Sequence, residues 1–291
     1  MSKIFDSLVK DEGTMSHLVR RFTGEPFPPI QERGPQPEAS EPANPAPAAQ
    51  PAVTLRRLPL QVPAGVPVFP FGPDNVRVSE QYRIIRTKIL QDPRQQRMIV
   101  VSSAAPQDGK TITSINLAGV LALKHELKVV LVEADLHRSH IASLLGFPAT
   151  PGLADVLSGK AALADALVQV EQCPNLFVIP GGTPHAGATE LLDSPAWRGL
   201  CEKLRREFTH VVIDSPPMIV LADFELLQAV SDGVVFVVRP DHTNRTECLK
   251  ALEGVATGKL LGVIVNAVED WPLYRRSSSK YYEYYGQAKA C

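Results

Sequence analysis

Short apolar runs alternate with amphipathic segments along the chain from about residue 78 onward. The apolar runs predict strands at 99–103, 128–132, 175–180, 210–213, 234–238 and 261–265. The segments between them predict helices at 111–124, 194–208, 224–230 and 243–256. These strands are continuously apolar, without the alternation of a sheet that has one solvated face. The pattern therefore predicts an α/β fold in which helices cover both faces of a predominantly parallel sheet.

The first 77 residues follow two other patterns. Apolar residues recur at helical spacing over 1–22, which predicts an amphipathic helix that either frays or docks onto a partner. Residues 23–77 hold more than half of the 26 prolines, with many alanines between them. Proline at this density removes backbone donors and blocks helices and sheets. We therefore predict a disordered linker over 23–77, which serves as a tether or as a PxxP ligand.

The last residues, 269–291, show no apolar period and predict a flexible tail that follows a folded domain at 78–268. Five of the six tyrosines lie in this tail. Their pairs fit no single helix or strand face, which speaks against an aromatic patch that docks on the domain. These tail tyrosines are Tyr274, Tyr281, Tyr282, Tyr284 and Tyr285.

Composition narrows the function classes. The formal net charge of −1 gives no electrostatic basis for nucleic-acid binding. The four cysteines form no CxxC pair, so reduced thiols are expected and a zinc site is not. No apolar run reaches the roughly 18 residues of a membrane span, and the N-terminus lacks a secretory apolar core. We expect a cytoplasmic protein that a partner recruits to the membrane.

A glycine-containing loop follows the first strand of the predicted domain and opens a helix. It fits the P-loop pattern with Ala104 in place of the first glycine. Such a loop points backbone N–H groups and a helix N-terminus at phosphate oxygens, and its lysine reaches the β- and γ-phosphates. The candidate nucleotide-binding residues are Ala105, Pro106, Gln107, Asp108, Gly109, Lys110, Thr111 and Ile112.

Acidic residues follow two other predicted strands, at the edge where α/β proteins bind ligands. Glu133 and Asp135 follow the strand at 128–132, and Asp214 follows the strand at 210–213. Each acid could also be a helix N-cap. Together with the P-loop they indicate nucleotide binding, with Thr111, Asp135 and Asp214 as candidate Mg²⁺ ligands.

These residues resemble the motifs of the bacterial tyrosine kinases (BY-kinases), P-loop NTPases related to MinD and ParA. The loop resembles Walker A, Glu133-Ala134-Asp135 resembles Walker A′, and Ile213-Asp214-Ser215-Pro216-Pro217 resembles Walker B. The spacing of Glu80, Arg83 and Arg86 is similar to the family's ExxRxxR motif. Without the resemblance, these three residues read equally well as a solvated charged helix.

The resemblance implies a mechanism and a set of partners. ATP and Mg²⁺ would be the cofactors, with Lys110, Glu133, Asp135 and Asp214 as catalytic residues and Asn266 facing the adenine. Glu133 would accept or orient the proton of an acceptor tyrosine. Glu80, Arg83 and Arg86 would join subunits into a ring. The tail resembles the tyrosine cluster that these kinases phosphorylate on a neighbouring subunit, so its five tyrosines would be the phosphate acceptors. A separate transmembrane activator of polysaccharide export would be the partner.

Five positions depart from the family pattern. Glu133 replaces Asp, His137 replaces Arg, Ser139 replaces Pro, and Gly187-Ala188 replaces Asn-Pro. The departures keep a second hypothesis open, a MinD/ParA-like ATP-binding regulator of the export complex with little or no kinase turnover. The tyrosine tail favours the autokinase. A small-molecule kinase would need a lid or substrate domain that the sequence does not indicate.

Overall fold

The computed structural model describes residues 56–68, 76–218 and 222–268, and the structural statements below refer to these residues. They contain one eight-stranded sheet. Its strands are β1 (Arg56–Leu58), β2 (Met98–Ser103), β3 (Val129–Glu133), β4 (Val168–Val170), β5 (Leu176–Ile179), β6 (His210–Asp214), β7 (Gly233–Val238) and β8 (Leu260–Val265).

The strands lie in the order β1-β4-β5-β3-β6-β2-β7-β8. Neighbouring strands are parallel except β4 and β5, so the β1–β4 pair runs opposite to the other six strands. The predicted predominantly parallel sheet is confirmed. The six predicted strands match β2, β3, β5, β6, β7 and β8 with ends that differ by one residue.

Helices cover both faces of the sheet. The helices are α1 (Val76–Gln91), α2 (Lys110–Ala122), α3 (Ile141–Leu145), α4 (Leu153–Leu157), α5 (Leu163–Ala166), α6 (Ala188–Asp193), α7 (Pro195–Glu207), α8 (Asp223–Val230) and α9 (Arg245–Glu253). Ile99 and Val101 of β2 pack with α1, α2 and α3, while Met98 and Val100 pack with α4 to α8. Because successive side chains of a strand point to opposite faces, one apolar strand supplies both cores. No helix in the described ranges is long and apolar enough to cross a membrane.

The structure differs from the sequence analysis at residues 56–68, which fall inside the predicted linker. Strand β1 pairs with β4, and the N–H of Gln61 donates to the carbonyl oxygen of Leu145 at 3.0 Å. Asn116 of α2 donates its side-chain N–H to the carbonyl oxygen of Pro67 at 2.9 Å, and Val68 is buried in the core beside α2. The linker prediction is therefore wrong for 56–68, where intermittent prolines leave room for apolar side chains to pack.

We expect the substitution Val68→Ala to lower the free energy of unfolding by about 1.5 kcal/mol, since each buried CH₂ group contributes about 0.8 kcal/mol. Arg57→Ala is the matched control in the same segment, because the Arg57 side chain is exposed. Urea denaturation of the full chain measures both. Equal stability of the two variants would contradict the packing of residues 56–68 onto the domain.

Candidate nucleotide-binding site

The loop between β2 and α2 has the backbone geometry of a phosphate cradle. Gly109 has a φ of 95°, in the left-handed region, and its N–H and that of Lys110 precede the first turn of α2. A Cβ atom at Gly109 would lie 1.9 Å from the Nδ2 atom of Asn266, so only glycine fits there. Pro106 and Gln107 are exposed on the loop, and Ile112 is half-buried in the first turn of α2.

Lys110 begins α2 and reaches across to the end of β3. Its ammonium group lies 2.9 Å from Oδ2 of Asp135 and 3.5 Å from the hydroxyl oxygen of Thr111. The second carboxylate oxygen of Asp135 accepts the backbone N–H of Arg138 at 3.1 Å. In this state the lysine that would bind phosphate oxygens is therefore held by a candidate metal ligand.

Asp214 lies at the end of β6, directly opposite Glu133 of β3. Its Oδ1 accepts the hydroxyl of Ser114 at 2.9 Å, and Thr111 also hydrogen-bonds to this carboxyl group. Burial raises the pKa of Asp214 to about 6, while Lys110 and the two hydroxyls oppose the rise. Lys110 and the two hydroxyls therefore stabilise the ionised form of Asp214 against its burial.

The charges of this site do not balance among the protein groups. Burial opposes the charge of Lys110, but the attraction of Asp214, Asp135 and Glu133 outweighs it and raises the pKa of Lys110. One ammonium group therefore faces three carboxyl groups. Hard oxygen donors with surplus negative charge are what a divalent cation such as Mg²⁺ prefers. Thr111, Asp135 and Asp214 fit this ion, and the loop N–H groups fit the phosphates of a nucleotide.

Glu133 is enclosed by backbone N–H groups. Its Oε1 accepts the N–H groups of His140 and Ile141 at the start of α3, the latter at 2.7 Å, and its Oε2 accepts the N–H of Gly181 at 2.7 Å. The residue is fully buried. Burial raises its pKa to about 7, against the lowering effect of these three hydrogen bonds.

The surroundings of Glu133 bear on its predicted role, which is to accept or orient the proton of an acceptor tyrosine. A carboxylate whose two oxygens already accept three N–H groups, and which solvent cannot reach, is not placed to receive the proton of an incoming tyrosine. Its extra methylene, compared with Asp, extends it to the loops that follow β3 and β5. A Cβ atom at Gly181 would lie 2.0 Å from the Ser139 hydroxyl oxygen and 3.3 Å from Oε2 of Glu133, so glycine lets the two loops meet.

The predicted subunit-contact residues lie on α1. Glu80 and Arg83 form an exposed ion pair with each other. Arg86 instead points inward and donates to the carbonyl oxygen of Val120, near the end of α2, at 3.0 Å. Arg86 therefore satisfies a helix-terminal carbonyl and joins α1 to the helix that begins at the P-loop.

The chain is similar to known proteins in sequence and in structure. The family model described as an AAA domain matches residues 96–257. The tyrosine-protein kinase YwqD of Bacillus subtilis is 35% identical over 212 residues, which cover 72% of this chain and 86% of YwqD. The crystal structure of the chimerical protein CapA2B2 is 29% identical, covers 74% of this chain and 94% of its own, and has a TM-score of 0.65.

A longer relative is matched over part of its length. The succinoglycan biosynthesis transport protein ExoP of Rhizobium meliloti is 31% identical over 200 residues, which cover 66% of this chain and 25% of ExoP. The AAA model and the similarity to nearly all of YwqD decide the family. The chain belongs to the bacterial tyrosine kinases. The P-loop NTPase fold expected from the sequence is confirmed.

Two departures from the BY-kinase pattern meet at one buried carboxylate. Asp223, the first residue of α8, is fully buried and has its Oδ2 3.0 Å from Nε2 of His137. Its Oδ1 accepts the hydroxyl of Thr189 at 2.6 Å, and Thr189 follows Gly187-Ala188 in sequence. Asp223 therefore ties the loop after Walker A′ to the start of α6.

Sequence reasoning missed three side chains of this BY-kinase site. Ser114 contacts Asp214, and its position one helical turn after Lys110 could have indicated this. Thr243 donates to Oδ1 of Asp108 at 2.5 Å, and Asp223 holds His137. No spacing rule reveals these two contacts, because 135 and 86 residues separate the partners. The tail tyrosines lie outside the described residues.

The raised pKa of Glu133 predicts a pH dependence of stability in the nucleotide-free BY-kinase. Between pH 4.5 and about 7 the folded state binds more protons at Glu133 than the unfolded state does, so stability falls as the pH rises through this window. Relative to Glu133→Gln, the wild type should lose roughly 3 kcal/mol of unfolding free energy and then level off. Urea denaturation at stepped pH measures this. Parallel profiles for the two proteins would contradict the prediction.

Proposed function

We propose that the protein is an ATP-dependent autokinase that phosphorylates tail tyrosines between neighbouring subunits. The observation that carries the proposal is the convergence of Lys110, Thr111, Asp135 and Asp214 at the start of α2. Similarity to YwqD, which is named a tyrosine-protein kinase, supports the reaction class. Five tyrosines in 23 residues supply the acceptors.

Phosphate binding rearranges the lysine in this mechanism. The N–H groups of the loop would hold the β- and γ-phosphates, and Lys110 would leave Asp135 to contact them, since the phosphates carry more negative charge than one carboxylate. The movement frees an oxygen of Asp135. Lys110 then stabilises charge on the transferred phosphoryl group, which is the main catalytic demand of this reaction.

Thr111, Asp135 and Asp214 would hold Mg²⁺ in this site. The metal supplies neutralising charge to the β- and γ-phosphate oxygens. Ser114 keeps the Asp214 carboxyl oriented through its hydroxyl, and Glu133 keeps the loops after β3 and β5 together. Asp135 is the carboxylate of Walker A′ that lies beside Lys110, and we assign to Glu133 a positioning role.

Tail tyrosines are the acceptors that we propose. A tethered segment presents its phenols to another active site at high effective concentration. Tyr82 lies outside the tail, is buried against α2, and has a pKa raised by that burial. A phenol in that position cannot enter another active site, so the phosphotyrosine signal should come from the tail.

The exposed Glu80–Arg83 pair is the proposed contact with the next subunit of a ring. Arg86 connects that contact to α2 through Val120, so subunit assembly and the P-loop helix share one structural link. Each phosphorylated tyrosine adds about −1.5 to −2 charges. Repulsion between phosphorylated tails would then loosen the ring.

Polysaccharide synthesis and export is the proposed pathway, because the relative ExoP is named a succinoglycan biosynthesis transport protein. A separate transmembrane activator would bring the kinase to the inner face of the membrane. Residues 1–22 are the segment that we assign to this docking, since their apolar residues recur at helical spacing.

A MinD/ParA-like ATP-binding regulator is the second candidate function. The enclosure of Glu133 favours it, because the first Walker A′ carboxylate is then occupied with backbone N–H groups. Such a regulator binds ATP in the same cradle and transfers little or no phosphate to tyrosine. Direct detection of phosphotyrosine separates the two functions.

The test compares the full chain with Lys110→Met and with a chain that ends at Asp270, each incubated with ATP, Mg²⁺ and the activator's cytoplasmic segment. We expect a phosphotyrosine signal in the wild type and none in the truncated chain. Labelling of Lys110→Met should be at least a hundredfold slower, because a charge that stabilises the transition state is lost. Anti-phosphotyrosine detection and mass spectrometry of the tail measure these outcomes.

Mixing experiments supply the control for transfer between subunits. Lys110→Met carries acceptors without the phosphate-binding lysine, and the chain ending at Asp270 carries the site without acceptors. Together they should restore labelling of the Lys110→Met tail. Absence of signal in the wild type, with ATP binding intact, would overturn the kinase function in favour of the regulator.

A further inference from the structure

The carboxylate of Asp108 is fully buried in the P-loop and faces a loop on the opposite side from the catalytic acids. Its Oδ1 accepts the hydroxyl of Thr243 at 2.5 Å and lies 3.1 Å from Nδ1 of His242. Its Oδ2 accepts the N–H of Ala105 at 3.2 Å. A buried carboxylate is costly unless such partners satisfy it, so this contact fixes how the two loops meet.

Thr243 and His242 belong to the loop 239–244, which connects β7 to α9. Most of its side chains are exposed. The internal N–H groups of His242 and Thr243 donate to the Arg239 carbonyl oxygen, which closes a turn but does not attach the loop to the P-loop. The Asp108 carboxylate attaches the loop through Thr243 and His242, and Nη1 of Arg239 adds a longer contact to the carbonyl oxygen of Gln107 at 3.5 Å. A third segment joins there, because Nδ2 of Asn266, just after β8, donates to the Asp108 carbonyl oxygen at 2.9 Å.

The strand order shows what this side of the site can bind. Phosphates would lie at the end of β2, and the acids Glu133, Asp135 and Asp214 lie at or just after the ends of β3 and β6, on one side of β2. On the other side are β7 and β8, whose ends carry the loop 239–244 and Asn266. A nucleotide that directs its γ-phosphate toward the acids must direct its ribose and base toward β7 and β8.

We propose that Asp108 and Thr243 position the loop 239–244 as the wall that binds the ribose and base of the nucleotide. This inference rests on the proposed nucleotide-dependent function and assigns a part of its site. Asp108 acts here as a positioning residue through Thr243 and His242. Loss of the Thr243 hydroxyl leaves His242 as the remaining side-chain partner of Oδ1 of Asp108 and loosens the wall, while the cradle for the phosphates keeps its own N–H groups.

Binding of two ligands distinguishes a wall that contacts the nucleoside from a contact that only stabilises the P-loop. ADP contacts both the phosphate cradle and the wall, whereas inorganic triphosphate contacts only the cradle. Thr243→Val removes the hydroxyl with little change in volume, and Thr243→Ser retains it. Thr257→Val is the matched control, because Thr257 is exposed in the turn before β8, at the opposite edge of the sheet.

Calorimetric titration of the full chain with Mg²⁺ and each ligand measures the effect. We expect Thr243→Val to weaken ADP binding about tenfold, the effect of one hydrogen bond to a charged group. Inorganic triphosphate should bind within about twofold of wild type, because its contacts lie outside the wall. Thr243→Ser and Thr257→Val should bind ADP as the wild type does.

In the labelling assay, Thr243→Val should raise the KM for ATP about tenfold with kcat nearly unchanged, since the wall adds uniform binding.

Three results would overturn the inference. They are unchanged ADP binding in Thr243→Val, an equal loss of ADP and triphosphate binding, or a failure of Thr243→Ser to restore ADP binding. A thermal unfolding curve for each variant identifies one that fails to fold, and Thr243→Ser then decides the question. A wild type that binds ADP but labels no tyrosine would refute the kinase function and leave the titration valid.

Discussion

Three buried carboxyl groups around a single ammonium group are the constraint on which the rest of the site depends. Lys110 cannot neutralise Asp135, Asp214 and Glu133 together, and burial raises the pKa of the latter two. Each carboxyl group therefore requires donors from elsewhere. Hydroxyls of α2 serve Asp214, and backbone N–H groups of two loops serve Glu133. The demand for donors determines where those loops lie, and the remaining negative charge favours a divalent cation.

The strand order of the sheet divides the site into two sides with different charge. Walker A′ and Walker B follow β3 and β6, which lie together on one side of β2, so charge accumulates there. Strands β7 and β8 lie on the other side and carry no acid into the cluster among the described residues. Asp108 is a buried acid of the P-loop itself, and its side-chain partners, Thr243 and His242, come from that second side. The phosphate cradle thus lies between the acidic residues on the side of β3 and β6 and the loops on the side of β7 and β8, which hydrogen bonds attach to it.

The sequence allowed the central strands and the P-loop to be predicted because their signals are local. Continuous apolar runs indicate strands buried on both faces, and Gly109-Lys110-Thr111 needs only its own neighbours to form a cradle. Strand β1 was not predictable, because Arg56–Leu58 has no apolar run and its order comes from pairing with β4. The enclosure of Glu133 was not predictable either, because the N–H groups that surround its carboxylate lie 7, 8 and 48 residues away.

Asp223, which contacts both His137 and Thr189, accounts for two of the departures from the family pattern: His137 itself and Gly187-Ala188, which precede Thr189. An arginine at position 137 could present two N–H groups to a carboxylate, whereas His137 presents one ring nitrogen. Asp223 is fully buried, so its second oxygen must find another donor. Thr189 supplies that donor from the start of α6, where the family's Asn-Pro is absent and the backbone begins a helix at Ala188. The replacement of arginine by His137 at one oxygen of Asp223 is therefore compensated by the Thr189 hydroxyl at the other oxygen. Asp223 still anchors the loop that carries Asp135.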